Sequence, residues 1–538
     1  MPHKSDSIIP DAIVIGAGFS SAILTHTLAK SGYSVIVLEA SERLGGRMNT
    51  LALNSHAIDA GCSFIHGYSH THPLHSLAMD LGVDIEHPPP TNDLIIDSNG
   101  PLDLAAQRSI QAALSLAINV AQDSCADTPL LHLLRSSLSS SLSDQHLLHL
   151  ASQLIHSLDA PLGIPVENFH DARRFHWEKP LQGSDAVVKG GYATLLNAVW
   201  DDAVRTGKVS VLHEHTCVSV STKDPVKCIV STQRGQLESK VVVCTAPLAT
   251  LPSIQFQPPL PQHKQEAITD TKTGLLEKLI FTYSERWWSG DANPSFTLLP
   301  TTNSQHTPKE ILLSHVLNVQ TFSHPSLLIY LPPGAIRALA MYSKQDVQRA
   351  GAEVLAERLP RVAGVAHAAS TPLAAHLTTW KKDSTSNGAT TTYTTPQQLH
   401  ALQAPSTDGR LGFAGEHTEI HNHGSVNGAV MSGFREAHRV SEYLSRRATS
   451  EALTSFNPRS LPCATTVGLP DPIPLFNEPF SGFRMRSATL RIVSRSTSSI
   501  LAHISSTPMR FPFTCTCLPR SSTWTIRDSS AIIRLLLS

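Results

Sequence analysis

Residues 11–47 read DAIVIGAGFSSAILTHTLAKSGYSVIVLEASERLGGR, and the order of apolar runs and glycines in them indicates the class of fold. An apolar run over Ala12–Ile15 ends in glycine, as a buried parallel strand does. A helix to about Lys30 and a second strand over 33–38 follow it. The order strand, helix, strand predicts an α/β fold with a parallel, Rossmann-like sheet.

The turn between the first strand and the helix carries residues suited to a dinucleotide. Gly16 permits a tight turn, and Gly18 lets the backbone approach a pyrophosphate at the helix N-terminus. Ser21 stands in the third glycine position, where a small residue preserves helix-to-strand packing. Glu39, about 20 residues past the glycines, can accept from ribose hydroxyls. This order predicts a dinucleotide site, and the alternative is a purely structural turn.

The residues after the second strand indicate which dinucleotide is bound. The run EASERLGGR, residues 39–47, resembles the "E-A-x-x-R-x-G-G-R" segment of the flavin amine oxidase superfamily. The resemblance implies that Arg43 and Arg47 meet the phosphates and sugar of FAD, with Gly46 close to them. Guanidinium groups bind phosphate bidentately, and glycines let backbone come near. The alternative is a solvated, arginine-rich loop.

A second FAD segment is expected near residue 415. LGFAGEHT, residues 411–418, and GSVNGAVMSGFREA, residues 424–437, resemble the C-terminal FAD signature of polyamine oxidases and flavin-type lysine demethylases. The resemblance implies that Gly415 touches the pyrophosphate and that Glu416 holds a hydroxyl. A helix starting near Val426 would direct its positive end at the flavin. The alternative is a tightly packed, glycine-rich helix.

Further cofactor contacts are expected at Val218 and Trp380. Val218 lies in an alternating pattern typical of strands over 209–220. Trp380 begins a stretch that resembles the family's tryptophan segment beside the isoalloxazine. Monoamine oxidases carry a cysteine later in that segment that bonds to FAD, and Ala389 stands there instead. We therefore expect non-covalent FAD.

The resemblance also suggests two catalytic residues and the class of substrate. GLLEKLIF, residues 274–281, resembles the family strand whose lysine holds a water against the flavin, which implies this role for Lys278. A surface lysine on an edge strand is the alternative. His66, in FIHG, matches the segment that carries a histidine near the substrate amine in animal polyamine oxidases. Thr390 and Ser425 stand where monoamine oxidases carry two tyrosines, which favours long or secondary amines.

The motifs predict interleaved domains and a tail. The FAD-binding domain is expected over 8–75, 185–260 and 375–445, and an α+β substrate-binding domain over 76–184 and 261–374, with 76–160 mostly helical. The tail, 446–538, is rich in Ser, Thr and Pro and has arginine but no lysine. We expect it to be disordered. A basic tail that binds an acidic partner and a gene-model artefact are the alternatives.

Composition excludes several classes of protein. The net charge of −1 does not favour binding to nucleic acid or to an anionic membrane. The eight cysteines form no C-x-x-C pair, and no metal site is predicted. We see neither an apolar signal core nor a membrane span, and the C-terminus reads LLS rather than SKL. We expect a cytoplasmic protein, and a peroxisomal location is the alternative.

The resemblance implies an FAD-dependent oxidase of amines, with polyamines or N-acetylpolyamines as substrates and dioxygen as the acceptor. The alternatives are a monoamine oxidase and an L-amino-acid oxidase. The latter would need an arginine such as Arg173 or Arg174 to hold the carboxylate. A flavin-binding protein without catalysis is a further alternative. The oligomeric state is not predicted.

Overall fold

A computed structural model describes most of the chain up to the end of its last helix. The described residues are 9–88, 93–124, 127–174, 181, 183–289, 294–363, 366–406 and 408–455. The last helix ends at Ser455, so it continues through the first ten residues of the predicted tail, 446–455. The rest of the predicted tail lies outside the described residues.

The β-strands are short, and several pair across long sequence separations. In chain order they are β1 Ala12–Ile15, β2 Val35–Leu38, β3 Thr50–Leu53, β4 His56–Asp59, β5 Ile65–Tyr68, β6 Ile85–Glu86, β7 Asp93–Asp97, β8 Gly100–Pro101, β9 Ser184–Val188, β10 Val209–Leu212, β11 Cys217–Ser221, β12 Cys228–Thr232, β13 Gly235–Ser239, β14 Val241–Cys244, β15 Gln255–Gln257, β16 Lys272–Thr273, β17 Glu277–Thr282, β18 Ser295–Leu298, β19 Leu317–Thr321, β20 Ser326–Leu331, β21 Ala374–Leu377, β22 Thr391–Thr392 and β23 Leu411–Phe413.

The α-helices lie between these strands and at the end of the described chain. They are α1 Phe19–Lys30, α2 Pro73–Asp80, α3 Leu104–Gln122, α4 Leu130–Ser141, α5 Gln145–Leu154, α6 Asp159–Leu162, α7 Tyr192–Arg205, α8 Gln262–Asp270, α9 Pro308–Leu313, α10 Pro333–Leu339, α11 Lys344–Arg358, α12 Pro396–Gln403 and α13 Val426–Ser455. Within the described part of the chain, no helix combines the length and apolarity that crossing a bilayer requires.

A five-stranded parallel sheet in the order β10-β2-β1-β14-β23 carries the predicted Rossmann-like fold. Strand β1 is buried on both faces, as its continuous apolar sequence predicts. Ala12 and Val14 pack in one core with residues of α1, α7 and α13. Ile13 and Ile15 pack in a second core with β11 and β12. The sheet therefore has helices on one face and a small β-sheet on the other.

A second, mostly antiparallel sheet has the order β21-β17-β20-β19-β18-β7-β8. Strand β17 is buried along its whole length. The predicted helical segment 76–160 is indeed helical from Leu104 onward, in α3 to α5. It is not helical over 93–97, because the apolar run within β7 pairs in parallel with β18.

The two sheets support the interleaved domains that we propose. The five parallel strands come from 12–15, 35–38, 209–212, 241–244 and 411–413, all inside the proposed FAD-binding segments. Strands of the second sheet fall mainly in the proposed substrate-binding segments. The proposed boundary at 375 cuts through β21, which pairs with β17 in the second sheet.

Candidate functional site

A cavity of about 740 Å³ opens at the carboxyl ends of the parallel strands. Its walls include the residues that follow β1, β2 and β14, which is where ligands bind in open α/β sheets. The cavity continues past residues 60–66 and Lys278 to the segments 389–392 and 421–427. One continuous space therefore joins the predicted dinucleotide loop to the predicted catalytic residues.

The glycine turn after β1 has the geometry that a phosphate-binding loop needs. Gly16 has φ +93°, and a Cβ there would lie 3.0 Å from the hydroxyl of Thr245. Gly18 is the N-cap of α1, so the first free N–H groups of the helix border the cavity. Ser21 is fully buried in α1 and does not line the cavity, which is consistent with a packing role.

Glu39 follows β2 at the wall of the cavity, and its carboxylate is already held by hydrogen bonds within the protein. One oxygen accepts from the backbone N–H of Ala17 at 2.8 Å. The other accepts from the backbone and side chain of Ser41 at 2.9 and 2.8 Å. These bonds fix the carboxylate between the glycine turn and the loop after β2.

The two predicted phosphate-binding arginines have different surroundings. Arg47 lines the cavity and donates from Nη1 to Glu416 and to the carbonyl of Ala389, both at 2.8 Å. Arg43 does not line the cavity: it donates to the carbonyl of Gly46 at 2.6 Å, and its guanidinium lies 6.0 Å from the ring centroid of Trp380. Arg43 therefore braces the loop, whereas Arg47 and Gly46 face the cavity.

Glu416 joins three separate segments of the chain. Besides Arg47, it accepts from the hydroxyl of Thr391 and the backbone N–H of Gly424, each at 2.9 Å. Burial raises the pKa of this carboxyl, but the charge of Arg47 and these hydrogen bonds outweigh burial, so the net pKa is lowered. Gly415, with φ +126°, precedes it, and Val426 begins α13 at the cavity wall.

Of the predicted cofactor contacts, Val218 joins Arg43 and Ser21 away from the cavity wall. Val218 is 45% exposed and lies outside the cavity. Its neighbours Thr216 and Cys217 line the cavity instead. Side chains alternate between the two faces of a strand, so a shift of one residue in β11 exchanges the inward and outward positions.

Trp380 lines the cavity and is held by a buried acid that the sequence analysis missed. Glu277 accepts from the hydroxyl of Thr378 at 2.6 Å and from the backbone N–H groups of Trp380 and Lys381 at 2.9 and 3.0 Å. Burial raises the pKa of Glu277. The Nε1–H of Trp380 reaches the carbonyl of Ala60 at 3.4 Å.

Lys278 is 5% exposed and lines the cavity, so it is not a surface lysine on an edge strand. Its Nζ donates to the carbonyls of Asp59, at 3.1 Å, and Gly61, and to the hydroxyl of Ser63 at 2.6 Å. Burial lowers the pKa of Lys278 to about 8. These three acceptors match the three donors of an ammonium group.

His66 lines the same cavity, on strand β5. Its Nδ1 lies 2.9 Å from an oxygen of Asp185 on β9. The hydroxyls of Thr390 and Ser425 also border the cavity and donate to the carbonyls of Gly424 and Asn422, at 2.8 and 2.6 Å. The structure thus brings both predicted catalytic residues to one space.

Comparison with known families identifies the chain. The profile of the family described as "Flavin containing amine oxidoreductase" matches residues 23–441. The chain belongs to this family. The resemblance found from the motifs is thereby confirmed, and FAD is the cofactor.

Relatives of this amine oxidoreductase include polyamine oxidases and histone demethylases. Polyamine oxidase 3 of Oryza sativa subsp. japonica is 24% identical, with 81% of this chain and 90% of the relative covered. Polyamine oxidase 2 of Arabidopsis thaliana is 25% identical, with 80% and 87% covered. Lysine-specific histone demethylase 1 homolog 2 of Oryza sativa subsp. japonica is 26% identical, but the match spans only 59% of its length.

Solved structures show the same fold. Cyclohexylamine oxidase from Brevibacterium oxydans IH-35A superposes with a TM-score of 0.63 at 20% identity, with 81% of this chain and all of that chain covered. A redesigned putrescine oxidase superposes with the same TM-score at 18% identity, with 80% and 99% covered. The α/β, Rossmann-like prediction is confirmed.

The residues of this flavoprotein fit FAD. Close backbone approach is possible at Gly16 and Gly46, α1 presents its N-terminus, and Arg47 supplies a cation at the wall. Sequence reasoning missed several cavity-lining residues that carry no cofactor motif: Pro161 and Leu162 at the end of α6, and Leu181, His421 and His423 in loops. Their positions follow from how the segments fold together, which periodicity does not reveal.

Proposed function

We propose that the protein is an FAD-dependent oxidase of amines and that its substrates are polyamines or N-acetylpolyamines. The observation that carries the proposal is one cavity that joins the dinucleotide turn at Gly16 to Lys278 and His66. The polyamine oxidases among the relatives support this substrate class.

The chemistry that bound FAD supplies is acceptance of a hydride from the α-carbon of the amine and return of two electrons to dioxygen, which leaves as hydrogen peroxide. A free alkyl amine has a pKa of about 10, so it reaches the cavity as an ammonium and must lose a proton before it can give up a hydride. His66 is the group that we assign to accept this proton. Water then hydrolyses the C=N bond to an aldehyde and a shorter amine.

Lys278 orders the segment that forms the cavity wall. Its bonds to Asp59, Gly61 and Ser63 fix residues 59–63, a segment that includes the cavity-lining Cys62. The role implied by the resemblance, a water held against the flavin, stays a prediction, because it requires one of these three bonds to be exchanged for a bond to water.

The described cavity gives less support to an L-amino-acid oxidase. Of the arginines that the structure describes, Arg47 alone lines the cavity, and it is paired with Glu416. Arg173 pairs with Asp171 at 2.8 Å. Arg174 lies 4.8 Å from the ring centroid of Tyr393.

A peroxide assay tests the proposed function. Purified protein loaded with FAD is given spermine, N-acetylspermine, benzylamine or L-amino acids, and hydrogen peroxide is measured. We expect peroxide with spermine or N-acetylspermine and much less with benzylamine. Turnover of L-amino acids alone would reject the proposed substrate class, and no turnover of any amine would reject oxidase activity.

A further inference from the structure

We propose that Asp185 is a positioning residue that orients His66 and fixes the ring nitrogen that carries its proton. This inference rests on the proposed function, because it assigns a task to a residue of the same site. Asp185 does not itself line the cavity, whereas His66 does. Any effect of Asp185 on the reaction therefore passes through the imidazole.

The pairing of β5 with β9 places the two side chains together. Ile65 pairs with Ala186 and Tyr68 pairs with Ser184, so two residues of β5, His66 and Gly67, lie opposite the single residue Asp185. This is a β-bulge, a feature that redirects a side chain and is frequent beside active sites. The extra residue brings the His66 ring to Asp185 while the ring still borders the cavity.

Glycine is required at the second position of this bulge. Gly67 has φ +61°, and a Cβ there would collide with the carbonyl of Leu181. A left-handed backbone conformation favours glycine, and the sequence FIHG provides a glycine at this position of the bulge. The position of His66 opposite Asp185 is therefore a property of the backbone and not of a freely rotating side chain.

The backbone of His66 is held from a second direction. The side-chain amide of Asn427, at the start of α13, donates to the carbonyl of His66 at 2.9 Å. The other end of that amide lies 3.0 Å from Nε2 of His72. With the backbone fixed by α13 and the side chain by β9, the imidazole has few positions open to it.

The hydrogen bond to Asp185 also determines the chemistry of the ring. A carboxylate can only accept, so the His66 Nδ1 at 2.9 Å carries a proton. The lone pair of the neutral ring is then on Nε2, the atom that can take a proton from a substrate ammonium. Both side chains are mostly buried, with 15% and 18% exposed, so water competes little for the hydrogen bond between them.

The test is a double-mutant cycle in which the rate of flavin reduction is measured without oxygen. Asp185→Ala, Asp185→Asn, His66→Gln and the double variant Asp185→Ala/His66→Gln are compared with the FAD-loaded wild-type protein, and the limiting rate of flavin bleaching is measured at saturating spermine or N-acetylspermine. Ser184→Ala is the matched control, since Ser184 is the neighbouring residue on β9 and its hydroxyl bonds to His87 instead.

We expect Asp185→Ala to slow bleaching by about tenfold or more, since a positioned proton acceptor contributes about 10²–10⁴-fold. Asp185→Asn keeps an accepting oxygen and recovers part of the loss. In the His66→Gln background the Asp185→Ala change adds no more than about twofold, because its target is gone. Ser184→Ala leaves the rate unchanged.

Equal losses from Asp185→Ala with and without His66 would overturn the proposal, as would an unchanged rate in Asp185→Ala. If Asp185→Ala fails to fold or to retain flavin, the cycle is carried by Asp185→Asn, which has nearly the same shape, and the same two criteria apply. A wild-type protein that no amine bleaches refutes the proposed function instead, so the two failures are distinguishable.

Discussion

At the scale of single residues, Lys278 shows that the surroundings of a side chain determine what it can do. The sequence places a lysine in an apolar strand, and the structure buries it among three acceptors from residues 59–63. Removing the amine leaves two carbonyls and a hydroxyl without this donor, beside the cavity.

We expect Lys278→Met to slow flavin reduction or reoxidation at least about tenfold, a loss of about 1.4 kcal/mol or more in transition-state stabilisation. Stopped-flow absorbance measures both steps. The matched control is Lys264→Met: Lys264 is equally buried but donates to the carbonyl of Leu402, away from the cavity. Unchanged rates of both steps in Lys278→Met would contradict a role in the reaction.

The same lysine predicts a pH dependence of stability. Burial lowers the pKa of Lys278 from 10.5 to about 8, so between these values the unfolded chain binds more protons than the folded chain. The contribution of this residue to the free energy of unfolding therefore rises with pH over that window. Relative to Lys278→Met, the wild-type protein should gain stability in urea unfolding from pH 8 to pH 10. If the free energy of unfolding of the wild-type protein stays constant or falls relative to that of Lys278→Met over this range, the lowered pKa is contradicted.

Predicted cofactor residues reach the cavity where a motif fixes the backbone, and they lie away from it where a side chain had to be placed. Gly16, Gly46, Arg47, Gly415 and Glu416 all reach the cavity. Val218 and Arg43 do not. The register of a strand and the direction in which an arginine side chain points depend on neighbours that are distant in the sequence, such as Trp380 for Arg43.

At the scale of elements, strand β17 organises the site from both of its faces. Lys278 points to the segment 59–63, and its neighbour Glu277 captures the turn that carries Trp380. Adjacent residues of a strand point in opposite directions, so one short strand can fix two walls. The sequence signals the strand through its apolar run, but gives no sign that Glu277 caps a turn about 100 residues away.

We expect Glu277→Ala to lower the free energy of unfolding by about 1–3 kcal/mol, because it removes the acceptor of three hydrogen bonds. Glu277→Gln keeps one oxygen and should cost less. Urea unfolding of the FAD-loaded protein provides the measurement, with Glu357→Ala as control. Glu357 is half-exposed in a surface pair with Lys309 and should cost about 1 kcal/mol or less. Equal effects of Glu277→Ala and Glu357→Ala would refute the bracing role.

At the scale of the whole molecule, segments far apart in the sequence meet at one cavity. The parallel sheet could be predicted because its strands are apolar throughout and its turns carry glycine motifs. The second sheet could not be predicted in the same way. Strand β7 pairs with β18, about 200 residues further along the chain, and no local sequence pattern predicts that pairing.

The assembled cavity predicts non-covalent FAD. Ala389 borders the cavity and offers no nucleophile, and its carbonyl accepts from Arg47. Cys62 also borders the cavity, but burial raises the pKa of its thiol, which keeps it protonated and unreactive. Acid precipitation should leave a colourless pellet and a yellow supernatant. Mass spectrometry of the denatured chain would contradict this expectation if it showed the added mass of a flavin.

The cavity is proposed to hold both FAD and an amine, and an anaerobic titration tests this proposal. The visible flavin absorbance of the purified protein is followed as spermine or N-acetylspermine is added without oxygen. The structure predicts a flavin band that bleaches with the amine and returns on admission of air, together with hydrogen peroxide. A protein without a flavin band after supplementation with FAD, or a band that no amine changes, would contradict the claim.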